Sequence, residues 1–153
     1  MSGSWTISAM QTATSASIPV DRSELQSMLA TLCYYQDCFG PYHPHTLRLM
    51  TQVGIAYSQA GEQPVARGLL ERVVRDLGRV LGADHDLRLR AIAALRDLFV
   101  SQGDYERAVS VQRELLECQT QCLGSDHPDT IATRVNLTRI LLETITYDSK
   151  KES

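Results

Sequence analysis

One stretch of this sequence returns three times at a fixed interval, and that interval limits what the chain can fold into more than any other feature. The cleanest copy is Leu123-Gly124-Ser125-Asp126-His127-Pro128-Asp129-Thr130. A second is Leu81-Gly82-Ala83-Asp84-His85-Asp86-Leu87-Arg88, and a more worn one is Phe39-Gly40-Pro41-Tyr42-His43-Pro44-His45-Thr46. Gly40, Gly82 and Gly124 stand 42 residues apart, and His43, His85 and His127 keep the same step. A period of this size is the mark of stacked structural repeats. Each copy reads as punctuation between helices. The glycine supplies the left-handed backbone that ends one helix. The Asp and His side chains offer acceptors for the free N–H groups that open the next. Pro44 and Pro128 suit a first helical turn, where the missing N–H costs nothing.

The segments between these punctuation marks carry helical periodicity. Asp21 followed by Glu24 has capping-box spacing and opens a helix over 22–38, with Leu25, Met28, Leu29, Leu32 and Tyr35 on one stripe. A first pair follows over 45–80: Leu47, Met50, Val53 and Tyr57, a break at Gly61, then Pro64 leading Val65, Leu69, Val73, Leu77 and Val80. A second pair, over 87–122, repeats the plan. Leu89, Ile92, Leu95 and Phe99 precede the Gly103-Asp104 turn, and Tyr105, Ala108, Val111, Leu115, Cys118 and Cys122 follow it. A last helix over 128–146 places Ile131, Val135, Thr138, Leu141 and Leu142 inward, and residues 147–153 read as a frayed tail. Residues 1–18, rich in Ser, Thr and small side chains with Trp5 the one large aromatic, read as a flexible leader. On the 42-residue step Tyr57 falls on Phe99 and Leu141, Ala66 on Ala108, Gly61 on Gly103, and Leu77 on Gln119. Recurrence at packing and turn positions predicts an all-α array of antiparallel helix pairs.

Bulk properties exclude several function classes. The net charge is −3, which gives no global case for nucleic acid or an acidic membrane surface. No apolar run approaches the roughly 18 residues needed to span a bilayer. Cys33, Cys38, Cys118 and Cys122 sit inside helical patterns rather than a disulfide framework, which favours a reducing, cytoplasmic setting. Cys118, Cys122 and His127 lack the CxxC pairing and the fourth ligand that a zinc site needs, so no metal is expected. The periodic histidines recur because the helix start recurs, which assigns them to capping rather than catalysis. No nucleophile, phosphate loop or zinc-protease motif accompanies Asp84-His85-Asp86, so neither an enzyme nor a cofactor is expected. The arginine row Arg67, Arg72, Arg75 and Arg79 is read as an outward, solvated face.

The linker Leu123-Gly124-Ser125-Asp126-His127-Pro128-Asp129, the pair Asn136-Leu137 and the turn Gly103-Asp104-Tyr105-Glu106-Arg107-Ala108 together resemble the tetratricopeptide repeat. The closer likeness is to the 42-residue form found in kinesin light chains and the nephrocystin-3 group. The resemblance spans residues 22–146 and implies an α-solenoid coiling as a right-handed superhelix. The small residue of the family's first helix is Gly54 in one copy, but Arg96 and Thr138 stand at the same place in the others. An Arg there should disturb close helix packing unless its stem reaches outward.

In such arrays the first helix of each pair lines a concave groove that takes a partner peptide. Carrying those positions over gives Arg48, Thr51, Gln52 and Ile55, then Arg90, Ala93, Ala94 and Asp97, then Ala132, Val135, Asn136 and Arg139. Of these, Arg48, Gln52, Ile55, Arg90, Asp97, Asn136 and Arg139 are the candidate peptide-binding residues. The resemblance implies a non-enzymatic scaffold or adaptor. Arg48, Arg90 and Arg139 favour an acidic peptide, or else they merely solvate an exposed face. The alternative is self-association, with apolar helix faces at the array ends pairing between copies or against further repeats.

Overall fold

The computed structural model describes residues 21–153, and the reading of residues 1–18 and Trp5 lies outside them. The described residues form six helices and no strand: α1 (Arg22–Phe39), α2 (Pro44–Gln59), α3 (Gln63–Val80), α4 (Asp86–Ser101), α5 (Tyr105–Leu123) and α6 (Pro128–Lys151). They fall into two compact units, one ending at Val80 and one beginning at Leu81. No described helix is long and apolar enough to cross a membrane.

The punctuation works as its residue types require. Nδ1 of His43, His85 and His127 accepts the backbone N–H two residues on, at 3.3, 3.1 and 3.2 Å, opening α2, α4 and α6 alike. Gly40 and Gly124 close α1 and α5 at φ of 89° and 90°, a region that a side chain disfavours. The first turn also ties back to its linker. Thr46 Oγ1 donates to the Gly40 carbonyl at 2.9 Å, and one repeat later Arg88 Nη1 donates to the Ala83 carbonyl at 2.9 Å. The reciprocal side-chain bonds of a capping box are not what opens α1: the Asp21 carboxylate accepts from Ser23 N–H, and Glu24 N–H donates to the Asp21 carbonyl.

In the first unit α2 packs against α1 and α3. Leu47, Val53 and Tyr57 of α2 and Leu70, Val73 and Leu77 of α3 are fully buried. Gly54 lets the two helices close in, since a Cβ there would sit 2.8 Å from the Leu70 side chain. In the second unit α5 packs against both α4 and α6, burying Ile92, Leu98, Phe99, Ala108 and Leu115.

Four expectations are corrected. The stripe assigned inward on the last helix faces out: Ile131, Val135, Thr138, Leu141 and Leu142 are exposed, while Thr130, Thr133 and Ile140 are buried. The equivalent α2 positions Leu47 and Tyr57 are buried; the apolar stripe of α6 has no such cover among the described residues. That helix also continues past 146 to Lys151, with Lys150 and Lys151 in its last turn, where cations suit the carbonyl end of the dipole. Val80 and Cys122, expected to line their helices' packing faces, are exposed at the helix ends. Finally, Arg72 is largely shielded and pairs with Asp76, itself buried, rather than standing in solvent.

Candidate functional site

The second unit carries an open cleft of about 430 Å³. One wall is α4 with its linker, contributing Asp84, Asp86, Leu89, Arg90, Ala93 and Arg96; the other is α6, contributing Asp129, Ala132 and Thr133. Leu115, Gln119 and Leu123 of α5 form the floor. The small side chains Ala93 and Ala132, on opposite walls, keep the cleft open.

Comparison of the two full helix pairs explains its polarity. One 42-residue step carries Gly54 to Arg96, Leu70 to Gln112 and Leu77 to Gln119. The dry contact of the first pair is thus replaced by polar side chains in the second. Arg96 does not disrupt the packing, because its guanidinium reaches partners on both sides. Nη1 donates to Gln112 Oε1 at 3.0 Å, and Nε and Nη2 reach Asp97 Oδ1 at 2.8 and 2.6 Å. Gln112 is fully buried, and its Nε2 donates to the Thr133 carbonyl at 2.8 Å. This relay joins α4, α5 and α6 through hydrogen bonds where the first unit uses apolar contact. Gln119, only 9% exposed, is different: its Oε1 is buried with no hydrogen-bond partner among the described residues. A buried acceptor left unpaired costs about 1–3 kcal/mol.

The charges of the cleft are unevenly matched. Arg90 Nε pairs with Asp86 at 2.9 Å, and Arg96 is held by Asp97. Asp84 and Asp129 have no arginine partner among the described residues. His127 Nδ1 lies 3.8 Å from the Asp129 carboxylate but already accepts the Asp129 backbone N–H, so that nitrogen carries no proton. Local desolvation, and next the adjacent Asp84 carboxylate, push the Cys122 thiol above its ordinary pKa.

Of the residues selected from sequence, Arg90, Ala93 and Ala132 line this cleft. Arg48, Gln52 and Ile55 form an exposed face on α2, in the other unit. Asp97 serves Arg96, and Arg139 pairs with Glu143 at 3.6 Å on its own helix; Asn136 is half-buried and outside the cleft lining. Arg90 and Arg139 each meet a carboxylate of their own helix through one nitrogen, and both side chains are largely exposed. Gln119, Asp84 and Asp129 line the cleft but were not among the residues selected from sequence. The signal for Gln119 was its alignment with the core residue Leu77.

Comparisons with known proteins agree with this architecture. A family model described as tetratricopeptide repeat matches residues 46–86 and 98–129. A clustered mitochondria protein homolog of Ajellomyces capsulatus is 28% identical over 125 residues, covering 81% of this chain and 10% of its own length. The Aspergillus fumigatus homolog is 27% identical over the same span. The chain therefore spans about a tenth of the length of these curated relatives. A solved structure from Podosopora anserina, described as a kinesin light chain of nearly identical TPR-like repeats, superposes with a TM-score of 0.68 at 24% identity. It covers 77% of this chain and 56% of that one, a likeness of fold.

Proposed function

We propose that this chain, a protein built of tetratricopeptide repeats, is a non-enzymatic cytoplasmic scaffold that holds a segment of a partner protein against the first helices of its repeats. The observation that carries this reading is the cleft over α5, open to solvent, walled by Ala93 and Ala132 and floored by Leu115, Leu123 and Gln119, the last standing where the first repeat has Leu77. A packed core gains nothing from Arg96 and Gln119 at positions where Gly54 and Leu77 suffice; a recognition surface gains donors and acceptors. Arg48, Gln52 and Ile55 would serve as a second contact surface on α2.

Affinity capture tests this directly. Ala132→Arg fills the cleft from an exposed position, and Arg48→Glu alters the α2 face without touching it. Proteins retained by the wild-type chain and lost with Ala132→Arg, at unchanged helical circular dichroism, support the cleft. Retention of every partner by both variants removes these helices from the binding account.

The exposed stripe Ile131, Val135, Leu142 and Ile145 on α6 favours a second reading, packing against another helix of a second copy or of further repeats. A mass that rises with protein concentration, and falls to monomer with Val135→Glu/Leu142→Glu, supports self-association; a constant monomer mass refutes it.

A further inference from the structure

We infer that the exposed face of α6 docks a second copy of this chain, the two α6 helices lying antiparallel in a register that sets Arg134 of each against Asp148 of the other. This deepens the self-association reading given above and rests on it.

The face is bare because α6 departs from the plan of the other repeats. In the full pairs it takes the second helix: Gly54 lies against Leu70 of α3, and Arg96 reaches Gln112 of α5. Their counterpart on α6, Thr138, is exposed. The turn that brings a second helix back is missing too. Gly61 and Gly103 turn the chain at φ of 82° and 71°, and one step further stands Ile145, a β-branched residue that resists such backbone. α6 accordingly runs on through this position, with 24 residues against 16 in α2 and in α4. Its extension is seated on α5, where the Tyr147 and Tyr105 rings meet at 5.5 Å. A helix that passes this turn lacks the device that brings α3 onto α2 and α5 onto α4.

What the face carries fits its own copy. Ile131, Val135, Thr138, Leu142 and Ile145 step by four and three residues in alternation, the seam of a coiled coil, and all five are exposed. One flank of the seam is Arg134, Leu141 and Asp148, also exposed. Arg134 donates to the Ser125 carbonyl at 3.3 Å, and neither it nor Asp148 has an ion-pair partner among the described residues. Antiparallel pairing brings this flank of both copies together. Each Arg134 then faces an Asp148 and the two Leu141 side chains meet, while Val135 meets Ile145 and Thr138 meets Leu142 in the seam. The other flank joins Ala132 to Thr146 and sets the two copies of Arg139 side by side, each with Glu143 at 3.6 Å on its own helix. Parallel pairing would instead oppose Arg134 to Arg139 twice. Both helices are already formed on α5, so association does not have to nucleate them.

The test is sedimentation equilibrium of the full chain across micromolar concentrations, under reducing conditions because Cys38 and Cys122 are exposed. Wild type should approach twice the monomer mass. Arg134→Glu and Asp148→Arg should each weaken the dimer about tenfold, since each turns two attractions into repulsions, and mixing the two variant chains should restore it. All the substituted positions are exposed, and circular dichroism checks that the variants stay helical. A monomer mass throughout overturns both this register and self-association. A dimer that survives Val135→Glu/Leu142→Glu overturns α6 as the interface. A dimer lost with that double variant but unmoved by the charge variants, not restored by mixing them, or tightened by Arg134→Glu as parallel pairing requires, overturns the antiparallel register and leaves self-association standing.

Discussion

The exchange of Gly54 and Leu70 for Arg96 and Gln112 predicts that the two positions are coupled, and the coupling can be measured. In the second unit, Arg96→Gly removes the donor to Gln112 Oε1 and leaves a fully buried acceptor unpaired, at about 1–3 kcal/mol. A glycine in a helix interior adds about 1 kcal/mol. The Asp97 partner is exposed, so losing that ion pair adds little. Arg96→Gly alone should therefore cost about 2–4 kcal/mol. Gln112→Leu alone removes the bonds to Arg96 and to the Thr133 carbonyl. It also sets a branched carbon against the Arg96 Cβ; in the first unit a Cβ added at Gly54 would sit 2.8 Å from the Leu70 side chain. Crowding of that kind costs about 1–3 kcal/mol.

The double variant Arg96→Gly/Gln112→Leu rebuilds the pair that the first unit already packs. What remains is the glycine penalty, offset by burial of a Leu worth about 1.5–3 kcal/mol. Its stability should lie within about 2 kcal/mol of wild type, so the cycle should show compensation of at least about 2 kcal/mol. Urea unfolding of the four proteins by far-ultraviolet circular dichroism gives the cycle. Single costs that add to within about 0.5 kcal/mol refute the claim that the polar relay and the glycine contact are alternative solutions to one packing problem.

Three further outcomes follow. Gly124→Ala should destabilise by about 1–3 kcal/mol in thermal melts, entirely through backbone strain at φ of 90°, since nothing lies within 4 Å of the added Cβ; an unchanged melting temperature would refute the strain. His85→Ala should cost about 0.5–2 kcal/mol through the lost cap on Leu87 N–H and His85→Asn should recover most of it, whereas equal losses in urea would show that the ring acts otherwise. Burial, and next the nearby Glu62, raise the Tyr57 phenol above its ordinary pKa. A raised folded-state pKa means that Tyr57 contributes full stability below about pH 10 and loses it as pH climbs through the folded value. Wild type should therefore lose stability more steeply than Tyr57→Phe at alkaline pH, and parallel curves would contradict this.

Turns and caps were the most legible part of the fold. They rest on local chemistry: a glycine, a ring nitrogen and a proline at set offsets leave few backbone solutions, so His43, His85 and His127 could be read as caps from spacing alone. Core positions on α2 were legible because α1 and α3 pack on both sides of its apolar stripe, and those on α4 because α5 covers them. Legibility failed on α6, where periodicity identifies an apolar face but not whether anything covers it. Thr130 and Thr133 are buried there, while Ile131 and Val135 face outward. At the site, family positions mark a backbone location and not what a side chain pairs with. Arg90 and Arg139 occupy groove positions, and each has a carboxylate neighbour on its own helix, Asp86 and Glu143.

The two helix pairs solve the same geometry with different chemistry, and that difference connects fold to function. Where Gly54 meets Leu70, contact is dry, and adding a single Cβ would force the leucine to move. Where Arg96 meets Gln112, the pair is held by directional bonds, and a polar floor continues to Gln119. Buried polar groups in place of apolar ones are stabilising only when fully partnered. The relay through Gln112 meets that condition within the protein, while Gln119 Oε1 does not. An unpartnered buried acceptor is a stability cost that the first repeat, with Leu77 at this position, does not carry. The repeat with the drier core should accordingly be the more stable of the two, and Gln119→Leu, which installs the residue of the first repeat, should raise the stability of the second in urea unfolding.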